Sequence, residues 1–142
     1  MDWNDRLIAI ISLVVLFAAA GCGLGTNGDD NRTSGAKAVS CSGDALVSRF
    51  VEVRDNEFGP DEVTVPVGEA VEWSAAGTSL HTVTSGAPDT ASAGDLFESG
   101  DLRRASSFCV KFTETGTFNY HCQYHAASGM TGVVKVEASD GD

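Results

Sequence analysis

Residues 116–136 read GTFNYHCQYHAASGMTGVVKV. Aromatic and β-branched residues dominate its two ends, and Gly, Ser and Ala fill the middle, a pattern that predicts two strands joined by a short loop. Side chains alternate between the two faces of a strand, so Phe118, Tyr120 and Cys122 share one face. Phe and Tyr suit a core, which directs the Cys122 thiol inward at a strand end. His121 then points to the opposite face, where an exposed or cross-strand role is expected. The loop that follows carries His125 and Met130 in the spacing Cys-x2-His-x4-Met.

The same period of two recurs upstream, cut by Gly, Pro and Asp at turn positions. Candidate strands are VSRFVEV (47–53), EVTVPV (62–67), AVEWSA (70–75), HTVT (81–84), SFCVKF (107–112), TFNYHC (117–122) and TGVVKVEA (131–138). No segment sustains a helical period over three turns. So many short strands predict an all-β sandwich or barrel, with Trp73, Phe50, Phe112 and Phe118 in its core. The stretch 86–104 has only Leu96, Phe97 and Leu102 as anchors and is expected to be a long connection with one helical turn. There is no internal repeat.

A chain of 142 residues with an apolar leader has room for one domain of about a hundred residues. That size suits a carrier or binding module better than an enzyme enclosing a large substrate. Twenty acidic residues against nine basic ones give a net charge of −11. Asp2, Asp5 and Arg6 lie in the leader, so the chain from Cys22 onward keeps −10. Dispersed acids exclude nucleic acid as a partner and suit a positively charged docking protein, a saline environment or plain solubility.

Residues 7–20, LIAIISLVVLFAAA, form an apolar run of signal-peptide length, short for a bilayer span. It ends at Ala19, Ala20, Gly21 and Cys22, which resemble the lipidation site of a bacterial lipoprotein signal. Three readings stand: a lipidated Cys22, ordinary signal cleavage nearby, or an uncleaved anchor. All place the remainder outside the cytoplasm, in the periplasm or at the outer face of the cell membrane. Residues 23–40, GLGTNGDDNRTSGAKAVS, carry too little apolar surface to fold and are expected to be a tether spanning ~20 to 25 Å. The expected organisation is therefore a signal peptide (1–21), a lipidated cysteine with its tether (22–40) and a folded domain (41–142).

A thiolate, two imidazoles and a thioether are the donor set that favours copper, with two His and one Cys in a plane and a weak axial Met. Zinc has little use for a thioether. Cys122, His125 and Met130 come from one loop; the fourth donor must come from elsewhere, and outside that region His81 is the only histidine. Small residues beside His125, namely Ala126, Ala127 and Gly129, suit either a flat patch for electron exit or the needs of a tight loop.

The run EVTVPVGEAVEW, then His81, then LFESG, then GTFNYHCQYHAASGM, resembles the plastocyanin, pseudoazurin and halocyanin group of cupredoxins, from Val47 to Ala138. The resemblance implies a Greek-key β-sandwich of about eight strands, one mononuclear type 1 copper site and electron transport. It places the metal ligands at His81, Cys122, His125 and Met130. Halocyanins are also tethered by a lipidated N-terminus, which agrees with Cys22. Two positions depart from the family pattern: Tyr124 stands where Pro is common, and Thr82 where Asn is common. An Asn there helps tie the two ligand loops together, whereas Thr82 offers a single hydroxyl.

With Cys22 and Cys122 assigned, Cys41 and Cys109 remain; in an oxidising compartment they form a disulfide or stay as two unpaired thiols. Redox proteins, donor and acceptor alike, are the expected partners of a monomeric one-electron carrier held at a membrane. The alternative is a copper chaperone or storage protein, which usually offers Met-rich or His-rich tracts; this chain has only Met1 and Met130. An oxidase or nitrite reductase needs a second copper site built mainly from histidines, and His121 is the only one spare.

Overall fold

In the computed structural model, residues 35–43 and 45–141 are described, and all belong to one compact unit, Thr33–Asp142. The apolar run 7–20, Cys22 and most of the tether lie outside the described residues. Among the described residues no helix is long and apolar enough to cross a membrane.

The described residues form nine strands: β1 (Ala36–Val39), β2 (Val47–Arg54), β3 (Glu57–Gly59), β4 (Glu62–Pro66), β5 (Ala70–Ala75), β6 (Thr84–Ser85), β7 (Ser107–Phe112), β8 (Gly116–His121) and β9 (Thr131–Glu137). They form two sheets, in the orders β1-β7-β5-β2-β3 and β4-β9-β8-β6. The β2–β5 and β4–β9 pairs are parallel and the others antiparallel. This is the expected β-sandwich.

Alternation explains which residues meet between the sheets. Val51, Val53, Val71, Trp73, Val110 and Phe112 line the first sheet's inner face; Val63, Val65, Tyr120, Val134 and Val136 line the second's. Each fully buried side chain of this size contributes about 1.5–3 kcal/mol. Aromatic edges lock the layers: Trp73 meets Tyr120 at 5.2 Å between ring centroids, and Phe112 meets Phe118 at 5.0 Å. Burial pushes the Tyr120 phenol up to about 12. Its ring lies over Gly132, where a Cβ would overlap it.

Several expectations need correction. Residues 36–39, read as the end of the tether, form β1, because Lys37 to Val39 continue the antiparallel ladder on β7 and Ala36 is buried opposite Phe112. Short β3 pairs with β2 across a turn in which Asn56 takes a left-handed conformation (φ 67). His81 is not in a strand; it makes a single bridge to Leu102, and the strand near it is Thr84–Ser85. No helical turn forms within 86–104; the only helical turn among the described residues is Ala126–Ser128. Phe50 is 64% exposed, since it sits opposite Glu72 on the outer face while Val51 and Val53 point inward. Phe97 and Leu102 are buried anchors of that long connection, but Leu96 is exposed.

Cys41 and Cys109 are joined in a disulfide, with Cα atoms 5.3 Å apart. Val39 faces Cys109 across the β1–β7 ladder, so the bond staples the start of the domain to the outer face of the first sheet.

Candidate metal centre

Strand β8 delivers Cys122 to one end of the sandwich, fully buried, and the chain then turns back to β9. The turn is closed by its own backbone. The Cys122 N–H donates to the Met130 carbonyl at 3.0 Å, and the His125 and Met130 N–H groups donate to the carbonyls of Cys122 and His125, each at 3.2 Å. Gly129 adopts a left-handed conformation (φ 88) at the end of the helical turn, which a side chain would disfavour. These bonds hold three of the four expected donors on one short loop.

His81 comes from a distant part of the chain, the segment between β5 and β6. Its N–H donates to the Leu102 carbonyl at 3.2 Å, and Leu102 returns the bond at 2.8 Å. His81, Cys122 and His125 present one ligand atom each within 4.8 Å of one another. Both imidazoles turn Nδ1 toward the Cys122 sulfur, at 3.9 Å for His81 and 3.5 Å for His125. A first-row metal with bonds of about 2.3 Å to sulfur and about 2.0 Å to nitrogen, spread in a trigonal plane, separates S and N by about 3.7 Å. Both sulfur–nitrogen separations therefore suit a metal bound between the three donors. Met130 is buried at the end of the same loop. The other grouping of metal-binding residue types, Cys41, Cys109 and Glu72, has both its sulfurs in the disulfide.

The surroundings order this group. The Thr82 N–H donates to the Cys122 sulfur at 3.4 Å, and the Thr82 hydroxyl accepts the Gln123 N–H at 2.9 Å. Thr82 thus ties the two ligand loops together with one hydroxyl and one amide. Gln123 donates from its side chain to Glu98 at 2.7 Å, and the Tyr124 hydroxyl donates to Asp101 at 2.6 Å, so the long connection is pinned to the ligand loop. Donating that hydrogen bond to the Asp101 carboxylate raises the Tyr124 phenol above its ordinary value.

Asp55, just past β2, is a residue that sequence reading missed. Its carboxylate accepts the N–H groups of Ser79 and Thr78 and the Thr78 hydroxyl at 2.8–3.0 Å, and it faces His81 Nε2 at 3.4 Å. Those donors, the Ser79 N–H first, hold the carboxyl well below the usual carboxylate range. No motif signals this contact, because 26 positions separate the two residues.

His121 is buried, with Nδ1 2.9 Å from the Gly86 carbonyl, so the cross-strand role holds and exposure does not. With Gln123, Ala126 and Ala127 it lines a surface cavity of about 250 Å³ beside the ligand loop.

Comparison with known proteins agrees with this geometry. Residues 47–137 match the family described as copper binding proteins, plastocyanin/azurin family. The plastocyanin of Dryopteris crassirhizoma is 33% identical over 95 residues, covering 61% of this chain and 93% of that one. Among solved structures, the Cu(I) form of an amicyanin point mutant is 26% identical with a TM-score of 0.57, covering 72% of this chain and 98% of that one. A purple cupredoxin from Nitrosopumilus maritimus, 22% identical, shares the fold with a TM-score of 0.56, over 63% of this chain and all of its own. Buried sulfur and imidazole donors in this arrangement, on this sandwich, make the cofactor copper in one mononuclear type 1 site. The chain belongs to the plastocyanin/azurin family of copper-binding proteins.

Proposed function

We propose that this protein is a blue copper electron carrier, with His81, Cys122, His125 and Met130 holding the metal. The carrying observation is the pair of Nδ1 atoms turned to one buried thiol at 3.5 and 3.9 Å. Copper supplies the one-electron couple between Cu(I) and Cu(II) when bound. The protein's part is to keep its donors still: loop bonds, the Thr82 bridge and the packed core hold them in one arrangement, so little reorganisation accompanies the change of charge. Cys122, His81 and Met130 are buried, whereas His125 is half-buried, which makes its ring the edge that a redox partner touches.

We also place the domain outside the cytoplasm, tethered through a lipidated Cys22 to the outer face of a membrane. The signal-like run 7–20 and the disulfide in the domain support this reading. Its partners are redox proteins of that membrane face, and the domain works as a monomer without enzymatic activity of its own.

Voltammetry of the copper-loaded protein tests the carrier reading, which expects a reversible one-electron wave that survives a strong Cu(I) chelator. Loss of the metal to the chelator would instead mark a copper-handling protein. Labelling with a radioactive fatty acid, in wild type and Cys22→Ala, tests the anchor; equal labelling of both would reject it.

A further inference from the structure

We propose that Asp55 is a positioning residue for the copper site: its carboxylate holds the His81 ring with the proton on Nε2, so that the Nδ1 lone pair faces Cys122, and its charge favours the oxidised ion. The inference rests on His81 being a ligand, as proposed above.

The carboxylate is itself held in place. Oδ1 accepts the N–H groups of Thr78 (2.9 Å) and Ser79 (2.8 Å), and Oδ2 accepts the Thr78 hydroxyl (3.0 Å). A Cβ at Gly77 would collide with Oδ1, so the absence of a side chain there lets the turn close over Asp55. Oδ1 then lies 3.4 Å from Nε2 of a His81 ring that is wholly buried.

A neutral imidazole has one donor nitrogen and one acceptor, and an ionised carboxylate only accepts. Facing Asp55, Nε2 must carry the proton, which leaves Nδ1 as the lone pair 3.9 Å from the Cys122 sulfur. A carboxylate behind a histidine ligand fixes its tautomer and orientation and raises its basicity. His125 has no such partner among the described residues: its Nδ1 faces the same sulfur at 3.5 Å, and its ring packs on His81 and Tyr124. The two imidazoles are therefore inequivalent: the buried His81 ring has a carboxylate behind it, and the His125 ring is half-buried without one. Asp55 is 43% exposed on its side chain, so solvent moderates the effect of its charge.

Two measurements on residues 33–142 test this. Two-bond proton–nitrogen correlation spectra of the metal-free protein read the His81 tautomer directly; a proton on Nε2 is expected, and a proton on Nδ1 would overturn the proposal. Asp55→Asn keeps an oxygen for Thr78 and Ser79 but removes the charge. The copper-loaded variant is expected to favour Cu(II) over Cu(I) about tenfold less than wild type, a potential about 59 mV higher. An unchanged potential in a variant with an unchanged melting temperature would reduce Asp55 to a turn-capping role and overturn the proposal. A wild type that takes up no copper would defeat the ligand assignment instead, and the metal-free tautomer would still decide what Asp55 does.

Discussion

The Thr82 hydroxyl accepts the backbone N–H of Gln123 at 2.9 Å, joining the residue after His81 to the residue after Cys122. The same hydroxyl lies 3.0 Å from Thr84 Oγ1, a buried pair in which either oxygen can donate. Thr82→Val keeps the shape and deletes the hydroxyl, leaving the Gln123 N–H without its acceptor. An unsatisfied donor of this kind costs about 1–3 kcal/mol. Chemical denaturation of the metal-free variant is expected to show a loss in that range; an unchanged midpoint would mean that this bond does not hold the loops.

The Cys41–Cys109 disulfide closes a loop with a sequence separation of 68. A bond spanning such a length stabilises the fold by about 2–4 kcal/mol, chiefly by restricting the unfolded chain. The Cys41→Ser, Cys109→Ser double variant is expected to lose that much in denaturant unfolding. Its visible absorption should stay as in wild type, because Cys109 lies on the outer face of the first sheet while Cys122 is buried at the sandwich end.

Much of the site was legible because it is local. Cys122, His125 and Met130 lie on one loop after an alternating strand, and the structure places all three on that loop with the thiol inward. His81 needed the resemblance and the scarcity of histidines, since its place depends on a bridge to Leu102 made between distant segments. Asp55 was illegible for the same reason. Phe50 misled by type alone: its own alternation with Val51 and Val53 sends it outward, beside Glu52 and Arg54. Strand β1 went unread because Ala36 to Val39 are weakly apolar, and they become a strand only through pairing with β7.

That contrast gives a prediction for two phenylalanines. Phe112 is buried between the sheets and touches Phe97 and Phe118, so Phe112→Ala is expected to cost about 3–5 kcal/mol. Exposed Phe50 changed to Ser is expected to stay within about 0.5 kcal/mol of wild type. Thermal unfolding of both variants checks the assignment of faces, and a large loss in Phe50→Ser would contradict it.

Gly132, the second residue of β9, lies against the Tyr120 ring. Gly132→Ala forces the ring or the strand to move, an overpacking cost of about 1–3 kcal/mol. The double variant with Tyr120→Leu removes the overlapping ring and is expected to lose less than the two single changes together, measured as a double-mutant cycle. Strict additivity would mean that the two residues do not collide.

The visible spectrum of residues 33–142 loaded with Cu(II), beside that of Cys122→Ala, tests the copper centre most directly. An intense thiolate-to-copper band that bleaches on reduction and is absent from the variant is the expected result. A colourless wild type, or a metal complex unchanged by losing Cys122, would contradict the account.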